Sequence, residues 1–415
     1  MTFRLAVVIP TRNRASLAIN AIRSLLVDAD ARVQVFVCDN SANAEEVEAL
    51  ASFCRTFGDS RLVYIRPPHD LTMPKNWDWA VREAMRLSDA THFGVHYDRK
   101  VTKRGELRKL LDVAQRSPDR VVTHSVDFIS IENGVHRLWQ PPYTGKLYEI
   151  RTDRVTHLIA QGRVWEMGHA FPILSNCVVP RFVLERVIER FGDLCDSTGP
   201  DAAFCMRFCA LFDDFLHLDL PLGVLYAIQR SNGAGYLKGG GTSEFDDFMK
   251  MWGDRAWLRA APLPGLNLGQ NMLYHEYELV RPEAPARFPE IDRDAYLCDL
   301  GDGLRFVTDP QIHARLTEFL RSKGWSGAPK IAPVPPPRPP APRTLAQRVA
   351  NRLRSVGLFE PLVLALARLG VRPRSLHAFA FRSDEQALPF ALNFSRRPDA
   401  HADHLHLMEP RPLAG

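Results

Sequence analysis

The chain has 415 residues, 46% of them hydrophobic and 24% charged, with a formal net charge of +5 at pH 7. This length exceeds what one core supports and predicts about two domains of roughly 100–200 residues each, with appendages. The composition is that of a globular protein, and no apolar run approaches the ~18–20 residues that a membrane-spanning helix needs. The mild positive charge suits an anionic ligand or a membrane surface and requires neither.

The amino terminus and the cysteines predict a cytoplasmic protein. Residues 1–4 lead straight into an apolar strand, without the apolar core of a signal peptide. The chain has seven cysteines, an odd number, and no Cys-x-x-Cys pair. We therefore expect reduced, mostly buried thiols.

The first forty residues predict a strand, a helix and a second strand. Residues 5–9 and 33–37 are short, apolar and rich in β-branched side chains, whereas 15–27 carries apolar residues at helical spacing. Both strands are apolar enough to be buried on two faces, as in a parallel sheet. Polar clusters at 10–14 and 38–41 follow the two strands, at the carboxyl ends where open α/β sheets bind ligands. A nucleotide site is the obvious candidate, and an ordinary crossover with polar loop ends is the alternative.

The alternation of strand and helix patterns continues through the first third of the chain. Helices are predicted at 45–56, 77–87 and 106–115, and strands at 61–65, 91–96 and 121–124. Such alternation favours right-handed βαβ units in a doubly wound sheet. The pattern loosens from 125 to 165, helical periodicity returns at 181–191 and 201–211, and residues 244–323 look largely helical.

A proline run at 332–340 is the sharpest break in composition, and it predicts a semi-rigid polyproline II spacer. Beyond it, residues 345–356 have the pattern of a basic amphipathic helix. This segment has three interpretations: a helical hairpin that docks on the body of the protein, which we favour, an interfacial helix on anionic lipid, or a partner-binding helix.

The sequence Pro10-Thr11-Arg12-Asn13-Arg14 and the later Asp39 resemble the donor-binding segments of the family 2 glycosyltransferases, which have the GT-A fold. The resemblance covers about residues 3–233. It implies that Pro10, Thr11, Arg12 and Arg14 form the donor-binding turn, with Thr11 and Arg12 lining a uridine pocket. It also implies that Asp39 accepts the N–H of the base.

In this family a carboxylate-x-carboxylate cluster after a central strand holds a divalent cation. Here the cluster reads His96-Tyr97-Asp98, followed by Arg99 and Lys100. Asp98 matches the metal ligand, for Mn²⁺ or Mg²⁺, whereas His96 replaces the first Asp. An imidazole still ligates Mn²⁺ or bonds a ribose, but Mg²⁺ prefers oxygen. Arg99 and Lys100 are alternative groups for neutralising the diphosphate, and a solvated charge cluster is the plain alternative.

Three further residues are assigned to the donor through the resemblance. Asn76 would orient the donor and Lys75 would reach a phosphate, the alternative being a simple helix start. Arg230 is a candidate diphosphate contact, or else a solvated loop arginine. Gln229 stands where the family often has a His, which is a second departure from its pattern.

The general base is assigned to Asp201, since family members carry an acid at the start of a helix in the acceptor half. Pro200 starts a helix well, but the helix dipole at Asp201 lowers its pKa, so burial must offset that effect if the acid is to act as a base. Helix capping is therefore the competing role, and Asp196 is the reserve candidate.

The resulting hypothesis is an inverting, hexosyl-type glycosyltransferase that moves a sugar from a nucleotide-diphosphate donor, with a UDP-sugar favoured, to a hydroxyl of a glycan or lipid-linked acceptor. The expected fold is α/β, a GT-A type doubly wound mixed sheet flanked by helices, with a mostly helical C-terminal extension. The domains would be 1–235 (nucleotide half 1–124, acceptor half 125–235), a helical extension at 236–325, a Pro-rich linker at 326–343 and a basic amphipathic tail at 344–415.

The same hypothesis predicts the pathway, the location and the partners of the protein. It implies polysaccharide biosynthesis for the cell envelope, in the cytoplasm, with peripheral contact at the inner membrane face through 344–370 and no nucleic-acid partner. One alternative is a non-catalytic GT-A-like module that binds a nucleotide sugar or a glycan. A nucleotidyltransferase is disfavoured, because residues 10–14 contain no glycine for a phosphate loop.

Overall fold

The computed structural model describes residues 2–28, 30–132, 135–233, 243–253, 257–307, 309–327, 352–353, 380–381, 383–393, 398–399 and 409–411. The strands are Leu5–Thr11 (β1), Val33–Asp39 (β2), Leu62–Ile65 (β3), His92–Val95 (β4), Lys100–Thr102 (β5), Val122–Glu132 (β6), Val135–Trp139 (β7), Leu147–Arg151 (β8), Cys177–Pro180 (β9), Asp214–Leu225 (β10), Ala380–Phe381 (β11) and Glu409–Arg411 (β12). The helices are Ala15–Leu26 (α1), Ala44–Phe57 (α2), Met73–Leu87 (α3), Glu106–Arg116 (α4), Thr152–Ala160 (α5), Arg181–Phe191 (α6), Pro200–Leu211 (α7), Ser243–Trp252 (α8), Gly269–Val280 (α9), Arg293–Gly303 (α10), Pro310–Ser322 (α11) and Asp384–Asn393 (α12).

The strands form one mixed sheet with the order β12-β8-β10-β6-β9-β4-β1-β2-β3. Strands β1 to β4 are parallel neighbours in the order β3-β2-β1-β4, and β9 runs antiparallel to both β4 and β6. The register places Thr11 beside Asp39, so the polar residues that end β1 and β2 meet at the same edge. The predicted fold class, a doubly wound mixed sheet flanked by helices, is confirmed.

Both faces of the central strands are buried, as the apolar runs predict. Ala6 and Val8 of β1 pack into one core cluster together with α3. Leu5, Val7 and Ile9 point to the opposite face and pack with α1. Each fully buried aliphatic side chain of this size contributes about 1.5–3 kcal/mol, so the parallel strands form the stable base of the site.

Helices α8 to α11 form most of the extension that the sequence assigns to 236–325, and α9 packs against α7. The approach is close at Gly199, the N-cap of α7, where a Cβ atom would lie 2.2 Å from the Sδ atom of Met272 on α9. Between α9 and α10, the hydroxyl of Tyr274 on α9 donates a hydrogen bond to Asp299 of α10 at 2.9 Å in the buried interface. The start of α7 is therefore fixed by the extension.

Parts of the predicted tail add to the sheet. Strand β11 pairs with β7, β12 pairs with β8, and α12 packs its buried Ala387 and Ala391 against the same region. The Pro-rich linker and the amphipathic segment 344–370 lie outside the described residues, apart from 326–327 and 352–353. Among the residues that the structure describes, no helix is both long enough and apolar enough to cross a membrane.

Candidate active site

A cavity of about 820 Å³ opens at the carboxyl edge of the sheet, and we call it the site cavity. Its walls come from the ends of β1 and β4, the first turns of α3 and α7, the loop after β10, and helices α8 and α9. Nine of the residues predicted for the site line it: Pro10, Thr11, Arg12, Arg14, Asn76, Asp98, Arg99, Asp201 and Arg230. Asp39, Lys75, His96 and Lys100 are not among its described lining residues.

The turn after β1 brings its arginines to the cavity wall. Asn13 adopts a φ of 53°, and its side-chain oxygen accepts hydrogen bonds from the backbone N–H groups of residues 42 and 43, each at 3.0 Å. Asn tolerates this left-handed conformation better than most residues. Arg12 donates to the carbonyl of Asn40 at 2.7 Å and contacts Asp247 of α8 at 3.1 Å. The turn is thus tied to the loop after β2 and to the extension.

Asp98 is buried and is held by partners from the β1 turn. Its Oδ2 atom accepts a hydrogen bond from the hydroxyl of Thr11 at 2.8 Å and lies 2.9 Å from Nε of Arg14. A second guanidinium nitrogen of Arg14 donates to the carbonyl of Arg230 at 2.9 Å. Residues predicted from three separate segments therefore form one network at the cavity wall.

Asp39 lies beneath the cavity rather than on its wall. Its carboxylate accepts from the hydroxyl of Tyr64 and from the backbone N–H of Ser41, each at 2.9 Å, and it is fully buried. Burial is the main cause that raises the pKa of Tyr64 above its ordinary value, so this phenol stays a donor. The next residue, Asn40, lines the cavity instead. The role of Asp39 as acceptor for the base stays a prediction.

The residues on either side of Asp98 diverge in direction. His96 is buried, with its ring nitrogens near the carbonyl of Tyr97 at 2.9 Å and the hydroxyl of Thr102 at 3.3 Å, and burial holds its pKa well below the ordinary value. Lys100 donates to the carbonyl of Ser175 at 2.7 Å, and burial lowers its pKa to about 8. Of His96, Arg99 and Lys100, only Arg99 lines the cavity. Its guanidinium lies over the ring of Tyr97, 4.9 Å from the centroid.

The two donor contacts predicted at the start of α3, Lys75 and Asn76, lie on different sides of the helix. Lys75 is exposed on the outer side of the helix. Asn76 is buried, and its carbonyl oxygen lies 3.2 Å from the thiol of Cys38 at the end of β2. Asn76 therefore contributes to the cavity floor, and the prediction that it orients the donor remains open.

Asp201 lies in the first turn of α7 with its carboxylate in a network below the cavity surface. One oxygen accepts the backbone N–H of Ser175 at 3.0 Å, and the other accepts a short hydrogen bond from the hydroxyl of Tyr97. The residue stays partly accessible from the cavity, although it lies deep within the protein. Burial is the largest influence on its pKa and raises it, against the hydrogen bonds from Tyr97 and Ser175 that lower it. An upward shift is the direction that a general base requires.

The reserve base lies elsewhere. Asp196 lines a second cavity of about 430 Å³, on the other side of the loop that precedes α7. Thr198 lines both cavities.

Sequence reasoning missed two contributions to the site. Tyr97 occupies the middle of the His96-Tyr97-Asp98 cluster and bonds the predicted base, a role that only its position in that cluster hinted at. The apolar wall of the cavity comes partly from the extension, which carried no interpretable motif: Phe248, Met251, Met272 and Leu273.

The residues around Asp98 do not fit a metal site formed by the protein. The part of the chain that the structure describes contains no group of three or more His, Cys, Asp or Glu side chains placed to hold a metal ion. Asp98 already accepts from Thr11 and pairs with Arg14, and His96 does not line the cavity. Hard divalent cations prefer several oxygen ligands, and this wall offers one carboxylate beside a guanidinium.

Comparison with known proteins gives a family match over part of the chain. The family model described as "Glycosyl transferase family 2" matches residues 6–170. This segment contains the β1 turn, the end of β2 and the Tyr97–Asp98 region, and it stops before α7. Residues 6–170 therefore belong to glycosyl transferase family 2. No curated protein sequence matches the chain.

Among solved structures, S. aureus TarS residues 1–349 is similar at 10% identity and a TM-score of 0.42, covering 77% of this chain and 88% of that one. The complex of the same TarS segment with UDP-GlcNAc gives 11% identity, a TM-score of 0.43 and the same coverage. For the longer S. aureus TarS chain the sequence identity is 11% and the TM-score is 0.41, and the match covers 78% of this chain and 53% of that chain.

Proposed function

We propose that this protein is a glycosyltransferase that moves a hexosyl group from a nucleotide-diphosphate donor, with a UDP-sugar favoured, to a hydroxyl of a glycan or lipid-linked acceptor. The observation that carries the proposal is that Asp201 lines the same cavity as the β1 turn and Asp98. Residues of the segment matched by the family model line one part of this cavity, and α7 carries Asp201, the candidate base.

The donor would lie along the carboxyl ends of β1 and β4. Arginine side chains there suit a diphosphate, because a guanidinium matches phosphate oxygens with two parallel donors. Thr11, Arg14 and Arg99 face this part of the cavity, and Arg230 approaches it from the loop after β10. The nucleobase would reach towards Asn40 and Arg12, as the resemblance to the family implies.

The chemistry would be a single displacement at the anomeric carbon, which inverts its configuration. Asp201 accepts the proton of the acceptor hydroxyl as the oxygen attacks, and the nucleoside diphosphate leaves from the opposite side. Tyr97 and the backbone N–H of Ser175 hold the carboxylate in place for this step. The divalent cation stays a prediction of the sequence, and no step here depends on it.

The acceptor would enter beside the apolar wall. Phe248 and Met251 of α8 and Leu273 of α9 line this wall together with Phe171. Apolar surface next to a reacting hydroxyl suits an acceptor in which sugar and hydrocarbon adjoin, which favours the lipid-linked class over a free polar glycan. A role in cell-envelope polysaccharide synthesis is consistent with such an acceptor.

Matched carboxylate variants test the base. We expect Asp201→Asn to abolish sugar transfer while UDP binding, measured by calorimetry, is retained. Asp196→Asn is the matched control, because Asp196 lines the smaller cavity, and it should leave transfer close to that of the unsubstituted protein. Transfer that survives in Asp201→Asn would rule out the base assignment.

The same experiment addresses the alternative of a non-catalytic module. A protein that binds UDP or a UDP-sugar but neither hydrolyses nor transfers the sugar, with any acceptor tried, would favour the binding module. The proposed membrane contact through 344–370 is tested separately by flotation with anionic liposomes, comparing the full chain with an Arg348→Glu/Arg352→Glu variant.

A further inference from the structure

The charged residues of the site cavity favour an anion without a metal ion. Four arginines line it, namely Arg12, Arg14, Arg99 and Arg230. The carboxylates among its described lining residues are those of Asp98, Asp201 and Asp247. Cationic side chains thus outnumber carboxylates on the wall, in a partly desolvated place where each charge interacts more strongly than in water.

The one carboxylate predicted to hold a cation is already neutralised. Asp98 is 3% exposed, and its Oδ2 atom lies 2.8 Å from the hydroxyl of Thr11 and 2.9 Å from Nε of Arg14. A divalent cation bound there would lie beside the guanidinium of Arg14, and the two would repel each other. His96, at the position of the family's first Asp, does not line the cavity.

The arginines are held in place before any ligand arrives. Arg14 donates to the carbonyl of Arg230 at 2.9 Å, and Arg230 donates back to the carbonyl of Asn13 at 3.4 Å, so the two loops clamp each other. Arg99 is stacked on Tyr97, whose hydroxyl bonds Asp201. Fixed donors of this kind stabilise developing charge with little reorganisation.

We propose that the donor diphosphate is bound, and its charge offset as it departs, by Arg14, Arg99 and Arg230 rather than by a divalent cation. This inference rests on the proposed function. In the transfer step the acceptor oxygen forms a bond to the anomeric carbon and gives its proton to Asp201. The bond from that carbon to the β-phosphate oxygen breaks, and its electron pair leaves with the nucleoside diphosphate towards the guanidinium groups.

The test is calorimetric titration of the full-length protein with UDP, and in parallel with GDP, in Mg²⁺, in Mn²⁺ and in EDTA. We expect the three affinities to agree within about twofold, and Arg14→Gln or Arg99→Gln to weaken UDP binding by about tenfold or more in EDTA, as for the loss of a hydrogen bond to a charged group. Arg23→Gln is the matched control, since its guanidinium is stacked on Phe53 at 5.2 Å and does not line the cavity. Thermal unfolding checks each variant, and Arg230→Gln gives the same readout if a first variant fails to fold.

Asp98→Asn separates the arginine site from a metal site. Under the arginine proposal the ratio of UDP affinity with Mg²⁺ to that with EDTA stays near one in this variant, as in the unsubstituted protein. UDP binding that requires a cation, and that loses this requirement or disappears in Asp98→Asn, would overturn the arginine proposal and leave the glycosyltransferase standing. Absence of UDP and GDP binding under all three conditions would overturn both.

Discussion

The phenol of Tyr97 donates a hydrogen bond to the carboxylate of Asp201 across 104 residues of sequence. Tyr97 belongs to the segment matched by the family model, whereas Asp201 lies beyond it in α7. The bond therefore joins the segment matched by the family model to the residue proposed as the base. On its other side the ring of Tyr97 supports Arg99.

We predict that Tyr97→Phe lowers kcat by about tenfold or more, because a hydrogen bond to a charged group is worth about 1.5–3 kcal/mol. The bond lowers the pKa of Asp201, so its loss should raise that pKa and move the acidic limb of the rate profile to higher pH. The measurement is kcat/KM against pH. Tyr64→Phe removes a phenol from a different buried carboxylate, Asp39, and should leave the limb in place. If the acidic limb of the profile does not move in Tyr97→Phe, Tyr97 does not influence the pKa of the base.

We predict that Glu276 makes the stability of the protein depend on pH. This α9 carboxyl is 1% exposed and accepts the backbone N–H of Gly199 at 3.0 Å, and burial raises its pKa to about 7 from 4.5. The folded state binds the proton of Glu276 more tightly than the unfolded state does, and this difference stabilises the fold. The stabilisation is complete below pH 4.5 and is lost as the pH rises to about 7. The loss amounts to about 3 kcal/mol. Glu276→Gln keeps an acceptor for Gly199 and should remove this part of the dependence.

The measurement for Glu276 is denaturant unfolding at pH 5 and pH 8 for both proteins. The variant should gain stability relative to the parent on going from pH 5 to pH 8. An equal change in the two proteins would show that Glu276 ionises alike in the folded and unfolded chains.

Gly199→Ala tests the contact between α7 and α9. A Cβ atom there would lie 2.2 Å from Sδ of Met272, so the methionine or the helix must move, at a cost of about 1–3 kcal/mol. We expect lower unfolding free energy and reduced transfer, since Asp201 is two residues away. Met272→Ala in the same chain should recover part of both losses. A double variant no better than Gly199→Ala would mean that Met272 is not the obstacle.

Asp384 ties the described C-terminal helix to the loop that carries Arg230. Its carboxylate lies 2.6 Å from Nδ1 of His136 and accepts the backbone N–H of Ala227 at 3.1 Å. We predict that Asp384→Ala weakens nucleotide binding several-fold by loosening this loop, with faster amide exchange at Ala227. Glu385→Gln, on the exposed side of the same helix, is the control. Unchanged exchange at Ala227 in Asp384→Ala would contradict this role.

The sequence by itself determined the central sheet and much of the site. Apolar runs buried on both faces favour parallel inner strands, and the carboxyl ends of such strands meet at one edge. Together with the family resemblance, which assigned Asp98, that rule brings Thr11, Arg14 and Asp98 together, 87 residues apart in the case of the bond from Thr11 to Asp98. The start of a helix at Pro200 likewise placed Asp201 correctly in a first turn.

Only the tertiary structure decided which neighbouring side chains face the cavity. His96 and Lys100 are buried and do not line the cavity, whereas Arg99 does. The bond from Tyr97 to Asp201 and the wall built by α8 and α9 depend on packing between segments far apart in the chain. Local propensity carries no information about such contacts, since they form only when these distant segments pack together.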